Sequence, residues 1–181
     1  MLFRSCQQAD LPNGVVNIVT GHGATGAAVV AHKGVDKVAF TGSTAVGRQI
    51  AQTIAGSKKR LTLELGGKGA NIVFDDAPID QAVEGIVNGI YFNQGHVCCA
   101  GSRLLVQENV HDEVVARLQR RMQTLRVGDP LDKNTDVGAI NSLAQLEKIR
   151  ELTRAGVEEG AELHQPPCEL PERGWFFPPT W

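Results

Sequence analysis

Short apolar runs that end in glycine alternate with segments of helical periodicity along the first third of the chain. The runs GVVNIVT (14–20), KVAFTGS (37–43) and RLTLELGG (60–67) are rich in β-branched or leucine side chains and predict buried strands. The segments between them carry apolar residues at helical spacing, and Ser43 or Thr44 is a typical N-cap for the second helix. Strand, helix and strand in this order indicate βαβ units and a parallel sheet.

The remainder of the chain continues the alternation. Its pattern predicts strand 69–76, helix 75–92, strand 102–110, helix 111–125 and helix 142–163. Asp75 or Asp76 is the expected N-cap of the first of these helices, and Pro78 falls in its first turn. The whole pattern is typical of an α/β fold.

Composition excludes several classes of protein. The 181 residues are 42% hydrophobic and carry a net charge of −2, which is ordinary for a globular domain. No run approaches the roughly 20 apolar residues of a membrane span, and no basic block marks a nucleic-acid surface. The first residues lack the apolar core of a signal peptide. We expect neither a membrane nor a nucleic-acid partner, and we expect a cytoplasmic protein.

The cysteines do not form a recognisable metal or disulfide pattern. Cys6, Cys98, Cys99 and Cys168 include no CxxC pair and no cluster with zinc-ligand spacing, so we expect no metal site. A disulfide scaffold remains an alternative, although a chain of this length can bury a core without one. Cys98 and Cys99 lie between glycines in GHVCCAGS. A buried pair of small side chains and a reactive thiolate both fit this position.

Two glycine turns and one carboxylate are further candidates for a site. GHGATG (21–26) follows a predicted strand and opens a helix, as a dinucleotide-binding turn does. No Asp or Glu occurs from residue 38 to 47, where the ribose-binding acid is expected, so a tight structural turn is the alternative. GSTAVG (42–47) repeats the arrangement one unit later. Glu64, in an apolar strand before Gly66, fits an exposed strand residue, a buried ion pair or a general base.

Several motifs together carry a family resemblance. FTGSTAVG, LELGGKGANIVF and YFNQGHVCCAGSR occur in this order, and together they resemble the NAD(P)-dependent aldehyde dehydrogenase superfamily. LPNGVVNIVTG and GDPLDKNTDVG are also similar to that family, so the resemblance covers essentially the whole chain. It implies a partial Rossmann-like dinucleotide-binding domain of parallel βαβ units over 1–64. This leads into a partial α/β catalytic domain over 65–181, which carries the thiol.

The resemblance also implies a chemistry and its residues. Cys98 corresponds to the catalytic thiol and Glu64 to the general base, whereas Cys99 corresponds to a neighbouring residue without a catalytic role. The implied reaction oxidises a small-molecule aldehyde to a carboxylic acid with NAD or NADP, through a thiohemiacetal and a thioester on the cysteine. The implied cofactor-binding residues are Gly23, Ala24, Phe40, Thr41, Gly42, Ser43, Gly47, Leu65 and Gly66.

The sequence departs from the family's pattern at two positions and in its extent. His96 stands where the family usually has Gln or Glu, and Gly69 stands where it usually has Ser, Ala, Asp or Asn; neither change removes a reacting atom. The family's domains need more chain on both sides, so we expect an internal fragment of an enzyme. A homo-oligomer is expected only for a full-length version. The alternative is a truncated, non-catalytic domain derived from the family.

Overall fold

The structure, a computed structural model, describes residues 2–181 as two compact units. The first unit ends at Leu65 and the second covers Gly66–Trp181. Each unit contains a two-stranded parallel sheet together with helices. The predicted α/β class is therefore confirmed.

The first unit is a small βαβ arrangement preceded by two helices. Its elements are α1 (Leu2–Gln8), α2 (Gly23–Ala31), β1 (Lys37–Gly42), α3 (Thr44–Ile54) and β2 (Arg60–Leu65). β1 and β2 are parallel, with Cα partners from Lys37 and Arg60 to Gly42 and Leu65. Helix α3 packs against both strands and α2 packs against α3. Among residues 4–65, the buried apolar side chains are Val38, Ile50 and Ile54.

Helix α3 begins and packs as its sequence predicts. Ser43 is the N-cap, and its Oγ accepts a hydrogen bond from the backbone N–H of Val46 at 3.3 Å. Gly47 is buried in the first turns of the helix. A Cβ at this position would lie 2.6 Å from Cδ2 of Leu65, so glycine lets α3 approach the end of β2 closely.

The predicted strand at 14–20 is wrong. Gly14 lies in a turn, residues 15–16 form a bend and residues 17–20 have no regular structure, and the segment joins neither β1 nor β2. Val15 is 63% exposed and Val19 is 72% exposed. A strand exists only where a neighbouring backbone completes its hydrogen bonds, and the apolar pattern of a run does not supply that neighbour.

The second unit is larger and contains more buried apolar side chains than the first. Its elements are β3 (Ala70–Val73), α4 (Ile79–Tyr91), β4 (Arg103–Val106), α5 (His111–Met122) and α6 (Leu143–Glu158), with short 3₁₀ turns at 92–95 and 108–110. β3 and β4 are parallel, with Cα partners from Ala70 and Arg103 to Val73 and Val106. Helices α4 and α5 pack together over this sheet. The core consists of Val73, Ile86, Val87, Tyr91, Val114, Leu118, Met122, Leu125 and Val137.

The predicted capping of α4 by Asp75 or Asp76 is also wrong. The helix begins after Pro78, which makes no side-chain capping bond. A turn closed by the N–H of Ala77 and the carbonyl of Phe74, 3.2 Å apart, separates the two aspartates from the helix. The carboxylate of Asp75 instead accepts a hydrogen bond from Nδ2 of Asn109 at 3.0 Å.

Three consecutive left-handed residues follow Phe92, the C-cap of α4, and redirect the chain. Asn93, Gln94 and Gly95 have φ angles of 49°, 56° and 74°. Nδ2 of Asn93 donates to the carbonyl of His96 at 3.1 Å, which stabilises the reversal. A Cβ on Gly95 would lie 3.1 Å from the carbonyl oxygen of Ile90. The left-handed backbone and this close approach both favour glycine.

None of the helices that the structure describes has the length and apolar character needed to cross a membrane.

We predict that Met122→Ala lowers the free energy of unfolding of the second unit by about 2–5 kcal/mol, because it opens a cavity in a side-chain position that is 1% exposed. Both tryptophans, Trp175 and Trp181, lie in this unit, so urea unfolding followed by tryptophan fluorescence reports on it. Leu131→Ala, at a position 90% exposed, is the matched control and should change the value by less than about 0.5 kcal/mol. Equal effects of the two substitutions would contradict the assigned core.

We predict opposite effects of alanine at two glycines of the same region. Gly95→Ala should destabilise the second unit by about 1–2 kcal/mol, because a Cβ disfavours the left-handed conformation. Gly85→Ala, within α4 and with no atom within 4 Å of the added Cβ, should stabilise it by about 0.5–1 kcal/mol. Urea midpoints measured by tryptophan fluorescence check both signs, and a stabilising Gly95→Ala would refute the left-handed turn.

Candidate functional site

The two adjacent cysteines occupy the corner of an exposed turn. The N–H of Ala100 donates to the carbonyl of Val97 at 3.0 Å, which places Cys98 and Cys99 at the central positions of a β-turn. Both thiols are exposed, whereas Ala100 is 3% exposed. The interpretation of a buried cysteine pair is therefore wrong. Within the described part of the chain, the backbone N–H of Cys98 has no acceptor, so it is free to donate to a ligand.

Glycines let the cysteine turn lie close to the sheet. A Cβ on Gly69 would lie 3.3 Å from the carbonyl oxygen of Ala100, and a Cβ on Gly101 would overlap the amide of Asn71. The N–H of Gly101 donates to the carbonyl of Gly89 in α4 at 3.3 Å. The turn is thus held between α4 and the start of β3. The glycines flanking the cysteines signalled a close approach, but nothing in the sequence pointed to Asn71.

Arg103 fixes the chain where it leaves the cysteine turn. Its N–H donates to the carbonyl of Gly69 at 3.0 Å, and its Nε donates to the carbonyl of Lys68 at 3.0 Å. One residue therefore joins the start of β4 to the segment before β3. Cys98 is attached on both sides to regular structure, which restricts where its thiol can move.

The other two cysteines are less suited to nucleophilic chemistry. Cys168 is partly buried, and this burial raises the pKa of its thiol. A raised pKa leaves less thiolate near neutral pH, and the thiolate is the nucleophile. Cys6 is half-buried in α1, and all four cysteines are free thiols.

Glu64 is an exposed carboxylate near the end of β2. It stands opposite Thr41 of β1 in the parallel register, and both residues are exposed. Leu63 and Leu65 alternate with it and are half-buried on the other face. Glu64 forms no ion pair with any residue between 2 and 181, so the interpretation of a buried ion pair is wrong. Its carboxylate is available to bind or accept a proton from a ligand.

A cleft of about 530 Å³ lies beside the glycine turn of the first unit. Its walls include Gly21, Gly23 and Gly26 at the start of α2 and Val38 and Phe40 of β1. Two of the sequence-predicted cofactor residues, Gly23 and Phe40, therefore meet in one cleft. The others do not line it: Ala24, Thr41, Gly42, Ser43, Gly47, Leu65 and Gly66.

The amino end of α2 has features that favour an anionic ligand. His22 is the N-cap residue and makes no side-chain capping bond, so the first N–H groups of the helix have no side-chain acceptor there. The positive end of the helix dipole also lies at this point. A Cβ on Gly21 would overlap Oγ1 of Thr25, so glycine is needed for the turn to fold onto the helix. These residues fit a phosphate-containing cofactor.

No group of three or more His, Cys, Asp or Glu side chains that could hold a metal ion occurs among residues 2–181.

Comparison with known proteins gives a consistent result over the full length of the chain. The sequence model of the aldehyde dehydrogenase family matches residues 1–181. An aldehyde dehydrogenase from Emericella nidulans is 47% identical over 176 residues, which cover 96% of this chain and 35% of that protein. This chain thus spans about a third of the length of that relative.

Solved structures agree with this assignment. The NAD-dependent aldehyde dehydrogenase from Sinorhizobium meliloti is 42% identical, with a TM-score of 0.91 over 99% of this chain and 36% of that chain. The NAD+ complex of an aldehyde dehydrogenase from Bacillus cereus is 40% identical, with a TM-score of 0.91 over 96% of this chain and 36% of that chain. The chain belongs to the aldehyde dehydrogenase family.

Proposed function

We propose that this chain carries the nucleophile, the general base and part of the dinucleotide site of an enzyme that oxidises an aldehyde to a carboxylic acid with NAD. The observation that carries the proposal is the exposed Cys98 at the corner of a turn anchored by backbone hydrogen bonds, in a chain that matches the family throughout. We assign residues 1–64 to the cofactor-binding part and residues 65–181 to the thiol-bearing part.

The proposed first step is addition of the Cys98 thiolate to the aldehyde. Sγ forms a bond to the carbonyl carbon, and the carbonyl oxygen becomes an oxyanion. The free backbone N–H of Cys98 is a donor that can stabilise this negative charge as it develops. An exposed thiol at a turn can reach a substrate without displacing core side chains, which favours Cys98 over the partly buried Cys168.

NAD, when bound, supplies the hydride acceptor of the reaction. The residues proposed to hold it are Gly23 and Phe40 in the cleft, with Ala24, Thr41, Gly42, Ser43, Gly47, Leu65 and Gly66. The choice of NAD is supported by the Sinorhizobium meliloti and Bacillus cereus relatives, which are described with that cofactor. Loss of hydride from the substrate carbon restores the carbonyl and leaves a thioester on Cys98.

The proposed last step is hydrolysis of the thioester with Glu64 as general base. The carboxylate accepts a proton from water as the water oxygen bonds to the acyl carbon, and the C–S bond then breaks. The carboxylic acid leaves and the Cys98 thiolate is regenerated. Support comes from the exposure of Glu64 at a strand end and from its lack of an ion-pair partner among the described residues.

We predict that the two cysteines differ sharply when this chain replaces the matching segment of the Emericella nidulans relative. In that chimera, Cys98→Ala should lower the rate of NADH formation from propanal by about a thousandfold or more, because the nucleophile is lost. Cys99→Ala should retain most of the rate and is the matched control. NADH absorbance measures both.

The chimera without cysteine substitutions must itself form NADH from propanal, and its failure to do so while folded and binding NAD would contradict the proposed function. A folded Cys98→Ala chimera with a normal rate would also contradict it, and a loss confined to Cys99→Ala would move the role to the neighbouring thiol.

A further inference from the structure

Helix α2 is held in the first unit by polar contacts more than by apolar burial. None of its nine residues is buried, although the helix packs against α3. The helix forms a wall of the cleft proposed to hold the dinucleotide, from Gly23 at its amino end to Val30 near its carboxyl end. A helix with so little buried surface needs another contact to fix its position.

The ammonium group of Lys59 supplies that contact. Nζ donates to the carbonyl of Val30 at 2.5 Å and to the carbonyl of His32 at 2.8 Å. Both acceptors lie at the carboxyl end of α2, where backbone carbonyls lack partners within the helix. Bonds from a charged donor are stronger than neutral ones, and a cation is favoured at the negative end of the helix dipole.

Lys59 joins α2 to the sheet across a long stretch of sequence. The residue immediately precedes β2 and lies 29 residues after Val30. Its side chain is half-buried, so water competes less for the ammonium group than at a fully exposed position. The contact therefore ties the carboxyl end of α2 to the residue directly before β2.

We propose that Lys59 is a positioning residue for dinucleotide binding, which rests on the function proposed above. By holding the carboxyl end of α2, it fixes the amino end of the helix against the cleft. A nine-residue helix is about 13 Å long, so Lys59 acts through the helix and does not touch a ligand beside Gly23. Its effect is on the fraction of molecules in which the cleft is correctly formed.

Four versions of the chimera with the Emericella nidulans relative test this proposal: the parent, Lys59→Met, Lys59→Arg and Lys58→Met. Methionine keeps the length of the stem and removes the charge and donors. Arginine keeps the charge and can donate to both carbonyls. Lys58 is exposed and its side chain makes no hydrogen bond to residues 2–181, so Lys58→Met is the matched control for loss of one charge.

The first measurement is hydrogen exchange of backbone amides. Lys59→Met should speed exchange in α2 while leaving α3 unchanged, and the other two variants should resemble the parent. The second is the NAD dissociation constant by calorimetry. If only about a fifth of molecules keep α2 in place, Lys59→Met raises this constant about fivefold, and Lys59→Arg restores it.

The outcomes separate the two proposals. A parent chimera that binds no NAD overturns the proposed cofactor site and the role of Lys59 with it. A parent that binds NAD, together with a Lys59→Met variant that binds it equally well, overturns the role of Lys59 alone. Unchanged exchange in α2, or equal weakening by Lys58→Met, also overturns it.

Discussion

The hydroxyl of Tyr91 donates to the carbonyl of Thr180 at 3.3 Å and lies 3.3 Å from Sδ of Met122. Tyr91 is the last residue of α4, and its ring is buried in the core between α4 and α5. This burial raises the pKa of Tyr91 far above its usual range, so the hydroxyl stays protonated and remains a donor. The end of α4 is therefore fixed, and the left-handed reversal and the cysteine turn start from a defined point.

The cysteine turn and the cleft beside α2 are stabilised by different interactions. The thiol of Cys98 is exposed, but its turn is attached to a core in which Val114 is fully buried. The cleft beside α2 has no comparable core beneath it, since that helix buries no residue. There, charge-assisted bonds from Lys59 replace apolar packing. A substitution in the core of the second unit should thus affect stability first, whereas one at Lys59 should affect ligand binding first.

Local signals in the sequence were sufficient where one segment determines its own structure. Ser43 as an N-cap and the helical periodicity that follows it predicted α3, and the apolar runs predicted β1 and β2. They failed where a distant partner decides, as in the segment 14–20, which has strand character but pairs with neither strand of its unit. The two hydrogen bonds of Lys59 join residues 27 and 29 positions apart, and no periodic pattern in the sequence indicates them.

In the candidate site, too, some features could be predicted from local sequence and others depend on the fold. Residue types left open whether Cys98 was buried or reactive, and the fold places it in an exposed turn. The left-handed Asn93 and Gln94 could not be predicted, because neither residue type requires a positive φ. The roles of Cys98 and Glu64 come from motifs shared with the aldehyde dehydrogenase family and remain proposals about this chain.

We propose that the substrate becomes bonded to Cys98 and is released with the help of Glu64. The most direct measurement uses the chimeric enzyme with Glu64→Gln, incubated with propanal and NAD and then digested for peptide mass spectrometry. Because hydrolysis is slowed, a propionyl group should accumulate on Cys98, located by fragmentation, in an amount equal to the initial burst of NADH. A burst of NADH without an acylated cysteine, or with the acyl group on Cys99, would contradict the role proposed for Cys98.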